Sequence, residues 1–198
     1  MSTPERTRVE STSIAATNTA DDGIVPDTKD WTWVLERPCP DCGLETPRVV
    51  REDVAGMVRA NAEGWLAVLA ADVDGLRRRP APGVWSDLEY ACHVRDVFRL
   101  FEVRLNLMLD LEDPLFPNWD QDGTAVAERY GDQDPKVVAG ELAEAAETLA
   151  AAFERVAGAQ WARTGSRSDG ARFTVESFSR YLIHDPVHHL FDVTGERV

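Results

Sequence analysis

The sequence is poor in the residues that carry chemistry: four histidines, three cysteines and three methionines among 198 positions. Lysine is scarcer still, with only Lys29 and Lys136 beside nineteen arginines. No apolar run approaches the roughly 18 to 20 residues that a bilayer requires, which excludes a transmembrane helix. The first 23 residues offer charges and hydroxyls where a secretory leader would need an apolar core of about 7 to 15 residues, so a cytoplasmic protein is expected. An odd number of cysteines in a chain too large to need disulfide staples points to a reducing compartment as well.

Acidic side chains, 35 against 21 basic ones, give a formal net charge of -14. That field repels phosphate backbones and anionic bilayers, so neither nucleic acid nor a membrane is expected as a partner. Hydrophobic residues make up 43% of the chain, enough for one core of ordinary domain size.

Residues 1–29 are rich in Ser, Thr, Asp and Ala and poor in large apolar groups, which predicts a disordered tail. Residues 30–47 carry an apolar patch (Trp31, Trp33, Val34, Leu35) and the turn CPDCG, and are expected to pack against the domain that follows. From Arg48 to Arg78, Val50, Val54, Met57, Val58, Trp65, Leu66, Leu69, Val73 and Leu76 recur at helical spacing, and Pro80 and Pro82 end the pattern. Ser86 and Glu89 form an S-x-x-E capping box opening a second helix from Asp87 to about Leu111. DLEDPLFPNWDQDG reads as a loop, a third helix runs from Pro135 to near Gly158, and after a GSRSDG linker a fourth occupies about Thr174 to Thr194. No stretch alternates usefully with period two. The expected fold is therefore all-α, an antiparallel four-helix bundle over 48–198.

The four histidines fall in two places, His93 in the second helix and His184, His188 and His189 in the fourth. Residues four apart share a helix face, so His184 and His188 can aim at one point, and His93 from a facing helix would complete a three-imidazole cradle for one divalent metal. His189 lies about 100° round the helix from His188 and is left outside the set. Asp96 and Asp192 are placed to accept the hydrogen on a ligand's other ring nitrogen. Arg95 and Arg180 could grip an anionic substrate. Pro186, between the two ligand histidines, is expected to kink the helix. Cys39 and Cys42 resemble a zinc knuckle without its second half. Three readings stay open: a reduced turn, a redox disulfide, or part of a composite metal site with His189 or Cys92.

W-S-x-x-E (Trp85, Ser86, Glu89) leading to His93, together with HDPVHH (184–189), resembles the DinB-like family, also called the YfiT-like metal-dependent hydrolase group. The resemblance covers roughly residues 48–198. It implies a four-helix bundle binding zinc or nickel through His93, His184 and His188, and a homodimer. At superfamily level it extends to mycothiol-dependent maleylpyruvate isomerase and bacillithiol transferases, which implies a thiol-dependent transferase or isomerase acting on small electrophiles, with mycothiol as co-substrate. Metal-dependent hydrolysis, with Asp96 or Asp185 as base, and a metal-bound binding or sensing module without turnover are the alternatives.

Overall fold

The computed structural model describes residues 30–71 and 75–198; the expected disordered tail lies outside the described residues. Four long helices form the bundle: α1 (Val54–Ala71), α2 (Asp87–Asp110), α4 (Pro135–Glu154) and α5 (Val175–Thr194), with a short α3 (Gln121–Ala127) in the α2–α4 connection. Helices α1 and α2 each pack along α4 and α5 and touch each other less, so the first two helices in sequence sit diagonally across the core. Trp65, Leu88, Phe98, Leu105, Leu142, Leu149, Phe178 and Leu182 fill it, fully or almost fully buried. Ala145, Ala146 and Ala150 are buried on α4, where small side chains admit close neighbours.

Helix ends follow their sequence signals. The Ser86 hydroxyl accepts from the Glu89 amide, and the Glu89 carboxylate accepts from the Ser86 amide at 2.8 Å. Asp134 caps α4 with Pro135 behind it, and Thr174 caps α5. Gly195, at φ +73°, closes α5 in the left-handed conformation that glycine adopts without a Cβ clash. Helix α5 continues on both sides of Pro186, and Asn61 of α1 donates to the Pro186 carbonyl at 2.8 Å.

Two expectations need correction. The expected loop after α2 contains α3, capped by Asp120, and strand β1 (Leu115–Phe116). The expected linker before α5 contains a hairpin of β2 (Thr164–Arg167) and β3 (Arg172–Thr174), with β1 parallel to β2 and β3 antiparallel to it. Strands of two to four residues are too short to display an alternating pattern, so they left no trace in the sequence. Gly165 sits where an added Cβ would lie 2.8 Å from Met108 and 3.1 Å from Phe116. Gly165→Ala is expected to destabilise the fold by about 1–3 kcal/mol through overpacking; urea unfolding with no loss of midpoint would refute that reading of the sheet.

Residues 30–47 lie against α5. A 3-10 turn (Trp31–Leu35) contacts that helix, and the Thr46 hydroxyl donates to the Val34 carbonyl. The CPDCG turn is closed by the Gly43 amide donating to the Cys39 carbonyl at 3.1 Å. From the other end of the chain, Arg197 donates to the carbonyls of Pro40 and Asp41, and the Val198 amide donates to that of Cys42.

Candidate metal centres

Helix α5 carries two donor pairs at i, i+4 spacing, His184/His188 and Asp185/His189, offset by one residue. One residue turns a helix by about 100°, so the pairs face different neighbours. Asp185 and His189 meet His93 of α2, and the three offer ligand atoms within 4.8 Å of one another. His184 and His188 meet Cys39 and Cys42 of the N-terminal turn within the same limit. The geometry thus divides the expected trio: His93 belongs to one group, His184 and His188 to another, and His189 stands beside His93. The reason is the phase of α5 on α2, which a one-residue offset decides.

In the first group the Nε2 of His93 lies 3.2 Å from Asp185 Oδ1, and that of His189 lies 3.9 Å from the same oxygen. The far side of His189 is fixed by Asp192, whose Oδ2 is 3.0 Å from Nδ1. A carboxylate there favours the tautomer protonated on Nδ1, with Nε2 as the acceptor nitrogen. His93 is fully buried, stacked on Trp119 at 5.2 Å and tilted against Trp85 at 5.2 Å, which fixes its ring plane. Burial alone would raise the Asp185 carboxyl, but His93 beside it holds it below the usual carboxylate range. Two imidazoles and an ionised carboxylate suit a divalent cation and leave further coordination positions open.

Of the expected supporting residues, Asp192 reaches His188 and His189, and Asp96 is engaged elsewhere. Asp96 instead accepts from Arg95 at 2.8 and 2.9 Å and from the Tyr130 hydroxyl at 2.6 Å. Arg95, nearly buried, also donates to Gln133 and Glu141. Arg180 is held by the Val49 carbonyl and Glu176. Neither arginine is among the residues that line the cleft beside Asp185 and His189. Burial would raise the Asp96 carboxyl, but Arg95 and Tyr130 outweigh it and lower it. A carboxyl lowered in the fold contributes stability above its unfolded value, about 3.9, and loses that contribution as pH falls through the folded value. Asp96→Asn is therefore expected to cost about 2–3 kcal/mol near neutral pH, a gap that closes below about pH 4. Urea titrations of both proteins across that range check it; a gap independent of pH would contradict it.

Asp185, His189 and Trp119 line a cleft of about 1270 Å³, together with Trp31 and Thr32 of the N-terminal segment and Phe101, Arg104, Arg167 and Tyr181. Arg104 was not singled out by sequence reasoning, although its place among Phe101, Leu105 and Met108 on the apolar stripe of α2 was the available signal. It is 4% exposed, its Nη2 donates to the Pro117 carbonyl at 2.7 Å, and its Nε has no partner. Among the described residues it makes no ion pair, and burial pushes its guanidinium down to about 10. Arg167 beside it is satisfied by Asp169 and by the Tyr181 hydroxyl.

A family model described as the DinB superfamily matches residues 56–191, and the chain belongs to that superfamily. The chain is similar in structure to YfiT from Bacillus subtilis, described as a probable metal-dependent hydrolase with an unusual four-helix bundle topology. That likeness has a TM-score of 0.65 at 18% identity over 73% of this chain and 84% of the other, and it establishes the shared fold. No curated protein matches the sequence. Among the described residues no helix is long and apolar enough to cross a membrane.

Proposed function

We propose that the chain is a metal-dependent enzyme acting on a small anionic electrophile in the cleft, with His93, Asp185 and His189 as the protein ligands of a divalent metal, zinc or nickel. The observation that carries this reading is Arg104: a buried cation that makes no ion pair among the described residues, on a residue that lines the cleft together with Asp185 and His189. Burying a guanidinium without a carboxylate partner is costly, and the arrangement makes sense when an incoming anion completes it.

Within this reading the reaction is transfer or isomerisation using a low-molecular-weight thiol of the mycothiol type. When bound, the metal would lower the thiol pKa so that the thiolate predominates at neutral pH. The chain's own residues do the rest. Arg104 fixes the substrate's carboxylate or comparable anion, Asp192 keeps His189 in its ligating tautomer, and Trp31 and Trp119 form apolar walls that limit water. A cleft larger than the roughly 300–1,000 Å³ of ordinary ligand pockets has room for thiol and electrophile together.

Hydrolysis is the second reading, favoured by the description of YfiT, and uses the same ligands with water in place of the thiol. Steady-state rates with the zinc- or nickel-loaded protein separate them. Conjugation of a carboxylate-bearing electrophile that depends on added mycothiol, and is lost in His93→Ala, supports the thiol reading. Ester or amide turnover that ignores the thiol overturns it in favour of hydrolysis.

A further inference from the structure

We infer that Cys39, Cys42, His184 and His188 form a second metal site, a closed tetrahedral zinc centre that fastens the N-terminal segment to α5. It shares no ligand with the cleft metal proposed above and does not rest on it.

The four donors come from two places brought together by the fold. The CPDCG turn supplies two thiols three residues apart, and the His184/His188 face of α5 supplies two imidazoles. All four ligand atoms lie within 4.8 Å of one another. Zinc bonds of about 2.3 Å to sulfur and 2.0–2.1 Å to nitrogen place tetrahedral ligand atoms roughly 3.4–3.8 Å apart. The one separation fixed directly, Cys39 Sγ to His188 Nδ1, is 3.6 Å, so small side-chain adjustments complete the cage.

Three further observations point to an ion. Both cysteines are free thiols and almost fully buried. His184 is 4% exposed and its Nε2 is buried with no hydrogen-bond partner, on the stretch of α5 where it and His188 border the cleft. The turn also has a fixed form: Gly43 takes φ +85°, where a Cβ would meet the Val198 carbonyl at 3.1 Å, and its amide donates to the Cys39 carbonyl at 3.1 Å. Binding would release two thiol protons to solvent, and two thiolates with two neutral imidazoles cancel the charge of a divalent ion, which suits a buried location.

Four protein ligands leave no position for substrate, so the role is structural. Trp31 covers His184 and His188 with ring centroids at 5.4 and 5.1 Å, and Trp33 covers His184 at 6.3 Å. Trp31, Thr32 and Leu35 line the cleft, so the ion would hold one wall of it in place. Cys39 and Cys42 lie outside the residues matched by the family model, which marks the site as an addition to the bundle.

The test uses the full chain, purified with its tag removed and loaded with cobalt(II). Thiolate ligation gives an intense sulfur-to-cobalt charge-transfer absorption that nitrogen and oxygen donors do not. The absorption is expected in the wild type and in His93→Ala, and its absence from the wild type overturns the proposal. Cys39→Ser/Cys42→Ser is expected to lose the absorption and one equivalent of zinc; unchanged zinc content in that variant overturns it too. Should the double variant fail to fold, alkylation of wild-type Cys39 and Cys42 decides, expected to be at least tenfold slower with zinc than after chelation. Equal rates, or a Cys39–Cys42 disulfide formed in the presence of zinc, contradict the site. Wild-type protein with the absorption and a single equivalent of metal supports this site and removes the cleft metal, so the two proposals fail separately.

Discussion

Arg104→Met is expected to yield a protein at least as stable as the wild type that has lost most of its hold on anionic ligands. A buried guanidinium with no carboxylate partner is a net cost to the fold, and replacing buried charge by an apolar side chain of similar length is often neutral or stabilising. Phe101 and Phe116, 5.7 and 4.9 Å from the guanidinium carbon, would pack against the methionine instead. A hydrogen bond to a charged group contributes about 1.5–3 kcal/mol, so kcat/KM for an anionic substrate should fall roughly 10- to 150-fold. The neutral ester of that substrate should lose far less. Thermal unfolding and paired kinetics read both effects. A marked fall in melting temperature together with unchanged kinetics would make Arg104 a structural residue and remove the argument for an anionic substrate.

Asp185→Asn is expected to weaken binding of the cleft metal by at least about 100-fold, because it removes the only anionic donor of the trio while keeping its size. Asp192→Asn should weaken it by about 10- to 100-fold, since Asp192 acts through the orientation and tautomer of His189. Competition titrations with a chromophoric chelator measure both. Equal affinities in wild type and Asp185→Asn would place the metal elsewhere.

How much of this was legible beforehand follows from the length scale of each feature. Helices α2, α4 and α5 were readable because twenty or so residues of apolar periodicity, bounded by Ser86/Glu89, Asp134–Pro135 and Gly195, agree on one answer. Helix α1 was readable in its body, but its start moved from Arg48 to Val54 because 3-10 turns at Thr46–Arg48 and Arg51–Asp53 precede it. The three-stranded sheet was hidden because its longest strand has four residues. The sequence singled out His93, His184 and His188 as one set, whereas the fold groups His93 with Asp185 and His189, and the choice between the two donor pairs of α5 is a rotation of that helix by one residue. Composition says nothing of that rotation. It is set by packing, including the Asn61 contact at Pro186 and the aromatic cover over each ring. Arg104 was missed because an arginine on an apolar stripe reads as a snorkelling surface residue until the strands close over it.

The most direct test of the account is anomalous diffraction at the zinc edge from crystals of the full, tag-free chain. The expected result is a peak bounded by His93 Nε2, an Asp185 carboxylate oxygen and His189 Nε2, each at about 2.0–2.2 Å. A lone peak held jointly by His93, His184 and His188 would contradict it.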